Sequence, residues 1–561
     1  MDSSNDSTHR LGRARTIYLE TFGCQMNELD SELVRGHLMA LGYEFTPDAA
    51  TADVVLYNTC SVREQAENKV LSRLGILGVE KSENERNVVV GVLGCMAERE
   101  GPDMIRKYPQ IDLMCGPGEL DKLPMLLDNA LKVEAVDIAQ RISLQGNTSR
   151  RSATLSAVDD DLELLDLSRA FDPDRANAGG RTAYVRITRG CNKFCTYCVV
   201  PHTRGAEVHR PPDSIVDECR RLADKGVIEI TLLGQTVNHY MYVHGVSMTT
   251  NGREAPQIGP GAGTHAREST SPLAGARTTS FADLLYRIHE EVPSIRRLRF
   301  VTSYPRDFSD DALRVMAESP RICRYLHVPA QSGSNRILGL MNRGYTVEQY
   351  LEFIDRAVAF MPDVSIAGDI IVGFPTETDE DFEATKELVR RVPFKNNFIF
   401  KYSPRPGTVA IKRFDDDVHN DVKRQRNNEL LALQADVSAA VHSAWVGKTV
   451  DVFVEKISRA SNASRGNVEL RWQSPRVQVS GRTGGDLIAV LDIPEGDDGS
   501  SWIGRMVRVE VTSAGPLLLY GRAVGDAGGQ ADGQAGGQAG SDAGASEPSA
   551  HENRQTLETH P

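Results

Sequence analysis

Six of the nine cysteines stand where their spacing implies chemistry: Cys191, Cys195 and Cys198 within eight residues, and Cys24, Cys60 and Cys95 at intervals of 36 and 35 positions. The first three belong to the run Arg189-Gly190-Cys191-Asn192-Lys193-Phe194-Cys195-Thr196-Tyr197-Cys198, a C-x3-C-x2-C pattern. Zinc knuckles pair one C-x2-C with a second pair or with two His downstream, and no such partner follows. Three thiolates from one loop suit a [4Fe–4S] cube, which would keep one iron without a protein ligand and so open to chemistry. The plain alternative, three small buried side chains, accounts poorly for so dense a run of reactive thiols.

The elements that must position these cysteines follow from the apolar pattern. Thr16 to Phe22, Ala52 to Tyr57 and Val88 to Leu93 read as strands alternating with helices, the first helix expected over about Asp30 to Leu41 and the second running to about Leu77. Each strand ends close to a cysteine, at Cys24, Cys60 and Cys95. In a parallel α/β sheet the carboxyl ends of the strands share one edge, so these three thiols converge there as a second three-thiolate site. Zinc fits less well, for want of a fourth ligand. Cys115, after the short strand Ile111 to Met114, is a spare candidate.

A chain of 561 residues exceeds one hydrophobic core, and its 40% hydrophobic and 25% charged residues are those of a globular protein. Nine cysteines, an odd number, with a polar start from Met1 to Arg15, argue against a disulfide framework and for metal chemistry in the cytoplasm. No apolar run is long enough to span a bilayer. The net charge of −13 argues against indiscriminate nucleic-acid binding but leaves room for a local basic face. The expected organisation is a cluster domain over 14–140, an acidic linker over 141–180 read as a solvated connector, a central domain over 181–425, a small β-domain over 442–525 and a disordered tail over 526–561.

In the central domain, strands at Ala183 to Ile187, Val227 to Leu233, Arg297 to Val301, Tyr325 to Val328, Ile366 to Val372 and Phe398 to Tyr402 alternate with five helices, giving six βα repeats and an open (β/α)6 barrel. Residues 241–280 interrupt it with a Gly-, Ser- and Thr-rich stretch, expected as a surface loop whose Arg253, His265, Arg267 and Arg277 either meet RNA or are padding. On the strand C-terminal edge, Gln235, Gln331 and Asp369 either bind a nucleoside cofactor or satisfy loop backbone. Arg343 suits a carboxylate or phosphate, or an exposed helix end, and His202 a proton relay or the surface. A long helix, about Asp417 to His442, then leads to short strands spaced as in a small β-barrel. Between Trp445 and Arg482 seven basic residues, among them Lys448, Lys456, Arg471 and Arg482, face three acidic ones, an electrostatic footprint for RNA phosphates.

Thr21-Phe22-Gly23-Cys24-Gln25-Met26-Asn27, Asn58-Thr59-Cys60-Ser61-Val62-Arg63 and Gly94-Cys95-Met96-Ala97, together with the C-x3-C-x2-C run and Tyr402-Ser403-Pro404-Arg405-Pro406-Gly407-Thr408, resemble the motifs of the radical S-adenosylmethionine (SAM) methylthiotransferases. The resemblance covers about Thr16 to Arg522, without the linker and the insertion, and the last segment is similar to a TRAM domain. It implies an α/β fold: a parallel α/β cluster domain, an open radical-SAM barrel and a small TRAM β-barrel. It implies two [4Fe–4S] clusters, an auxiliary one on Cys24, Cys60 and Cys95 and a SAM-binding one on Cys191, Cys195 and Cys198. SAM would serve both as methyl donor and as source of a 5′-deoxyadenosyl radical, with Gln235, Gln331, Asp369 and Arg343 as contacts. The implied reaction is methylthiolation of C2 of N6-dimethylallyladenosine beside the tRNA anticodon, with the base splayed out of its loop. Threonylcarbamoyladenosine in tRNA and ribosomal protein S12 are the other substrates the resemblance allows, and a metal-stabilised RNA-binding protein without catalysis is the other class. Expected partners are tRNA, an electron donor such as flavodoxin or ferredoxin and a sulfur donor, with no membrane and a monomeric chain.

Overall fold

The computed structural model describes residues 15–61, 64–83, 86–131, 137–144, 163, 165–166, 180–249, 252–259, 276–459, 477–494 and 496–524. Its first unit is a parallel sheet of β1 (Thr16–Phe22), β2 (Glu44–Phe45), β3 (Val54–Thr59), β4 (Val89–Gly94), β5 (Leu113–Cys115) and β6 (Ile142–Ser143), in the order β2-β1-β3-β4-β5-β6. β3 and β4 are buried at every position, which is why they read as unbroken apolar runs rather than alternating ones. Helix α1 (Gln25–Ala40) begins directly after Cys24, five residues before the expected start. Cys24 is its N-cap, and Asn27 Oδ1 accepts from the Cys24 backbone N–H at 3.4 Å. A cysteine in the place of the usual Ser, Thr or Asp hides this start from a sequence reading.

The central unit has six parallel strands in two sets. β7 (Thr182–Arg186) is followed by the short β8 (Thr188–Arg189) and β9 (Val208–His209), and then by β10 (Glu229–Leu233). β11 (Met241–Val243), β12 (Gln257–Ile258) and β13 (Thr278–Ser280) come from the insertion, before β14 (Arg297–Val301), β15 (Tyr325–His327), β16 (Ser365–Val372) and β17 (Phe394–Lys401). β7, β10 and β14 form one parallel sheet, and β15, β16 and β17 the other. The two are stitched by a Leu298–Ile322 bridge and by the Ser303 N–H donating to the His327 carbonyl at 3.0 Å. Ile230, Leu232, Leu298, Phe300 and Ile366 point outward into a core shared with the helices, so the alternate residues face the barrel interior.

Three expectations are corrected. The insertion is not simply a surface loop: β11 pairs with β13 and β12 with β9, Tyr242 is fully buried, and its hydroxyl donates to the Ala255 carbonyl at 2.6 Å. His265 and Arg267 lie outside the described residues, whereas Arg253 and Arg277 are exposed. The acidic linker is not wholly solvated either: Glu163 and Asp166 are buried, Asp166 taking Arg186 at 2.7 Å and Glu163 taking Arg210 at 2.8 Å. Two arginines buried in the barrel wall need carboxylates, and the linker delivers them. Finally, β17 starts at Phe394 rather than Phe398, because the polar Lys395 and Asn397 are buried with partners, Asp486 at 2.6 Å and Gln434 at 2.6 Å.

After a helix over Asn420–Ser443, a closed five-stranded barrel ends the described chain: β18 (Thr449–Arg459), β19 (Val477–Thr483), β20 (Ile488–Asp492), β21 (Met506–Ala514) and β22 (Leu519–Ala523), in the order β18-β19-β20-β22-β21. One of the short strands expected in this domain, Glu469 to Trp472, and the tail over 526–561 lie outside the described residues. This small barrel docks on the N-terminal ends of the central strands. Arg297 donates to the carbonyls of Arg482 and Asp451 at 2.7 and 2.6 Å, and Arg299 to those of Thr483 and Gly484 at 2.5 and 3.2 Å. Among the described residues no helix is long and apolar enough to cross a membrane.

Candidate metal centres and cofactor site

The N-terminal triad is assembled from three successive strand ends. Cys24 caps α1, Cys60 follows β3, and Cys95 opens the short helix α2 (Cys95–Glu100). Gly94 takes φ 86°, and a Cβ there would lie 2.3 Å from Asn58 Oδ1, so only glycine lets β4 turn into α2. Asn58 Nδ2 donates to the Asn27 carbonyl at 2.8 Å and to Ser31 Oγ at 2.9 Å, tying the turn before Cys60 to the start of α1 after Cys24. Cys60 and Cys95 are buried and Cys24 is half-buried. The Cys24 thiol is drawn down to about 6, chiefly by its hydrogen bond with Cys60, against burial and with help from the Arg204 guanidinium. Burial pushes the Cys95 thiol up, opposed by Arg204 and by a hydrogen bond with Thr203. Cys115 is fully buried on β5, with its thiol donating to the Glu119 carbonyl at 3.1 Å, and it behaves as a core residue.

The barrel triad leaves β8 through Gly190, whose φ is 69° and whose Cβ would lie 2.0 Å from the Ala206 carbonyl oxygen. The loop is held at each end. Asn192 Oδ1 accepts from the Glu207 N–H at 2.9 Å, and its Nδ2 donates to the Gly259 carbonyl at 3.2 Å. Thr196 donates through Oγ1 to the Leu340 carbonyl at 2.9 Å. Glu207 is itself buried, with Oε1 between His209 Nε2 at 2.8 Å and His239 Nδ1 at 2.6 Å and Oε2 accepting from Thr236 at 2.9 Å. Burial acts to raise its pKa, but the hydrogen bonds from His209 and His239 prevail and hold it below the usual carboxylate range. Burial drives the Cys191 thiol upward, and burial with the neighbouring Cys195 pushes Cys198 up to about 12.

Arg343 is not an exposed helix end. It is buried, with Nη1 3.4 Å from Cys195 Sγ, Nε donating to the Tyr345 hydroxyl at 3.0 Å and Nη2 to the Pro329 carbonyl at 3.0 Å, and its guanidinium lies 4.7 Å from the Tyr304 ring centroid.

The two triads meet across the short helix Val200–Thr203, which follows Cys198 directly and carries the half-buried His202. Thr203 lies within hydrogen-bonding reach of Cys95, and the helix that Cys95 opens packs against Val200–Thr203, which brings Cys95 close to Cys198. Arg204 ends this helix and donates to Asp30 Oδ2 at 2.8 Å, while Arg186 reaches Asp30 Oδ1 at 3.3 Å. A second bridge runs from Arg405 to Glu67 at 2.9 Å, with Arg99 on the other Glu67 oxygen at 2.6 Å. Asp30, Arg204 and Glu207 escaped the sequence reading. Their signal, charged residues within six positions of a triad cysteine or just before a two-residue strand, is indistinguishable from a solvated helix face.

Of the candidate cofactor contacts, Gln331 has φ 70° and a buried Oε1 without a hydrogen-bond partner among the described residues, the kind of orphaned acceptor that a ligand satisfies. Gln235 is half-buried just past β10. Asp369 faces the barrel interior and lies 3.3 Å from His327 Nε2, whose other ring nitrogen is 2.7 Å from Thr302 Oγ1. On the small barrel, Lys448 and Lys456 are exposed. Arg482 is also exposed but spends its charge on Asp486 at 3.4 Å and Glu455 at 3.7 Å, and Arg471 lies outside the described residues.

A Radical SAM superfamily profile matches residues 185–389, and a profile described as uncharacterized protein family UPF0004 matches residues 16–116. The chain is 40% identical over 520 residues to a protein of Rhodopirellula baltica named tRNA-2-methylthio-N(6)-dimethylallyladenosine synthase, covering 90% of this chain and 98% of that one. Proteins of the same name from Phocaeicola vulgatus and Bacteroides thetaiotaomicron are 38% and 37% identical over 510 residues, covering 91% of this chain and 96% of each of theirs.

Proposed function

The chain belongs to the radical SAM methylthiotransferases named tRNA-2-methylthio-N(6)-dimethylallyladenosine synthases, and from that premise we propose that it replaces the C2 hydrogen of N6-dimethylallyladenosine, beside the tRNA anticodon, with a methylthio group. The observation that carries this reading is the meeting of two cysteine triads across Val200–Thr203. A radical reaction that also delivers sulfur needs two centres facing one substrate, and a non-catalytic metal-stabilised protein does not.

In this reading Cys191, Cys195 and Cys198 hold a [4Fe–4S] cluster with SAM on its open iron, and Cys24, Cys60 and Cys95 hold an auxiliary cluster. The donor sets suit them: each triad offers three thiols, and among the described residues no fourth ligand group joins either one, as a cube with one open iron requires. When bound, these groups supply the radical that activates an inert C–H bond and the sulfur that replaces its hydrogen. The chain's own residues do the rest. Arg343 sets its guanidinium against the Cys195 sulfur, and Arg204 offsets negative charge at Cys24 and Cys95. Gln331 offers its orphaned oxygen to the amino or ribose groups of SAM, with Gln235 and Asp369 on the same edge.

The working division is a cluster domain over 14–140, a linker over 141–180, a radical-SAM core over 181–425 with its insertion at 241–280, a TRAM domain over 442–525 and a tail over 526–561. Lys448 and Lys456 are the basic residues best placed for tRNA phosphates. An external electron donor such as flavodoxin or ferredoxin, a sulfur donor, a monomeric state and a cytoplasmic location complete the proposal. Mass spectrometry of nucleosides from tRNA of cells with and without the gene tests it. The expected result is loss of 2-methylthio-N6-dimethylallyladenosine with accumulation of N6-dimethylallyladenosine; an unchanged nucleoside profile overturns it.

A further inference from the structure

The interior of the central barrel is covered unevenly. On the β7-β10-β14 side, Leu233 belongs to the apolar core of the N-terminal sheet, and Tyr184 and Val301 pack against that core. Arg186 is tied to Asp30 of α1, while Arg297 and Arg299 are closed over by the small barrel. On the β15-β16-β17 side, Ile371 packs beside Tyr197 of the cysteine loop, but among the described residues no neighbouring domain closes over the ends nearest the cysteines. Phe398 and Phe400 pair in register with Asp369 and Ile371, so all four side chains project to the same face. Residues on the opposite face of these strands are packed: Ile370 and Val372 sit in the core with Phe382 and Leu430, and Ile399 packs against it. Phe398 and Phe400 nevertheless remain 46% and 40% exposed. Phe398 is held in place by His327, whose ring meets it edge-on at 6.1 Å and is itself anchored by Thr302 and Asp369.

Two exposed aromatic rings on one interior face, backed by a positioned imidazole and a carboxylate, form a stacking surface for a planar group with an apolar extension. We propose that Phe398 and Phe400 bind the extruded target base, Phe398 stacking on the adenine and Phe400 packing against its five-carbon N6 substituent. The assignment rests on the substrate reading above and adds to it how the enzyme tells a prenylated adenosine from a plain one. SAM carries adenine but no such substituent, and the acceptor assigned to it, Gln331, sits on the far side of Asp369 from Phe398, its N–H donating to the Asp369 carbonyl at 2.8 Å.

Fluorescence anisotropy of the full-length, cluster-loaded protein with two anticodon stem-loops, identical except for N6-dimethylallyladenosine or adenosine at the target position, tests the assignment. The wild type is expected to prefer the prenylated stem-loop by about tenfold or more, since burying even two or three methylene equivalents gives that ratio. Phe400→Ala should reduce the preference to about threefold or less, whereas Phe398→Ala, which removes the stack on an adenine that both stem-loops carry, should weaken binding of both alike, by about fivefold or more, and leave the preference in place. Because both rings are partly exposed, neither substitution opens a core cavity, and Phe398→Leu, which keeps apolar area without a π face, provides a second variant with an intermediate affinity for both. A wild type that discriminates while Phe400→Ala discriminates equally well, or while Phe398→Ala binds both stem-loops as tightly as the wild type, overturns this inference alone. A wild type that does not discriminate overturns the substrate reading and this inference with it.

Discussion

The two sides of the barrel interior differ in what covers them. The β7-β10-β14 side is sealed by its neighbours through buried charge: Arg186 and Arg204 on Asp30, Arg297 and Arg299 on backbone carbonyls of the small barrel. The β15-β16-β17 side leaves Phe398 and Phe400 exposed and Gln331 unsatisfied. The first side is committed to holding domains together; the second does so at its N-terminal end, where Lys395 meets Asp486, and leaves the end nearest the cysteines for ligands. The difference also explains how the cysteine triads face each other: the sealed side fixes α1, and with it Cys24, against the helix that follows Cys198.

The strongest way to break this contrast is to remove the carboxylate on which the sealed side turns. Asp30→Ala leaves Arg204 buried without its partner and Arg186 with Asp166 alone, at an expected cost of about 3–5 kcal/mol. Chemical denaturation should show an earlier midpoint, and a change under 1 kcal/mol would mean that the domains are held by apolar contact instead. A smaller effect is expected at the other seal. Asp486 accepts from Lys395 at 2.6 Å and faces Arg299 at 3.8 Å. Burial acts to raise its pKa, but Lys395 and Arg299 hold it below the ordinary range. The sign follows: the folded pKa is depressed, so its contribution is fully present above about pH 4 and is lost as pH falls below that. Asp486→Ala should therefore loosen the small barrel at neutral pH by about 1–3 kcal/mol, read as faster proteolysis before Asn420, and should abolish any difference from the wild type in acid.

The smallest effect concerns RNA. Lys448→Ala and Lys456→Ala should each weaken tRNA binding a few-fold and lower the slope of log affinity against log salt by about 0.7–0.9. Unchanged slopes would move the phosphate contacts to the barrel or the insertion. Deleting the whole small barrel is a poor test, because it would strip the partners from Arg297, Arg299 and Lys395.

Much of this architecture was legible in the sequence because it rests on local pattern. Continuous apolar runs identified the parallel strands, and cysteines at their ends identified the sheet edge where chemistry collects. What escaped depends on partners distant in sequence. Glu163 and Asp166 look like part of a solvated acidic run until Arg186 and Arg210 are seen to be buried beside them. Lys395 and Asn397 look like loop residues until Asp486 and Gln434 arrive. The start of α1 was hidden because its cap is a cysteine, which lies outside the usual set of capping residues. The paired strands inside the insertion are two or three residues long, too short for any period to register.

Iron per chain in anaerobically reconstituted protein tests the central claim, that the two triads are separate cluster sites serving one substrate. The wild type should hold about eight irons, and Cys60→Ala and Cys195→Ala about four each, with SAM cleavage kept only in Cys60→Ala. About four irons in the wild type, or SAM cleavage lost equally in both folded variants, would contradict it.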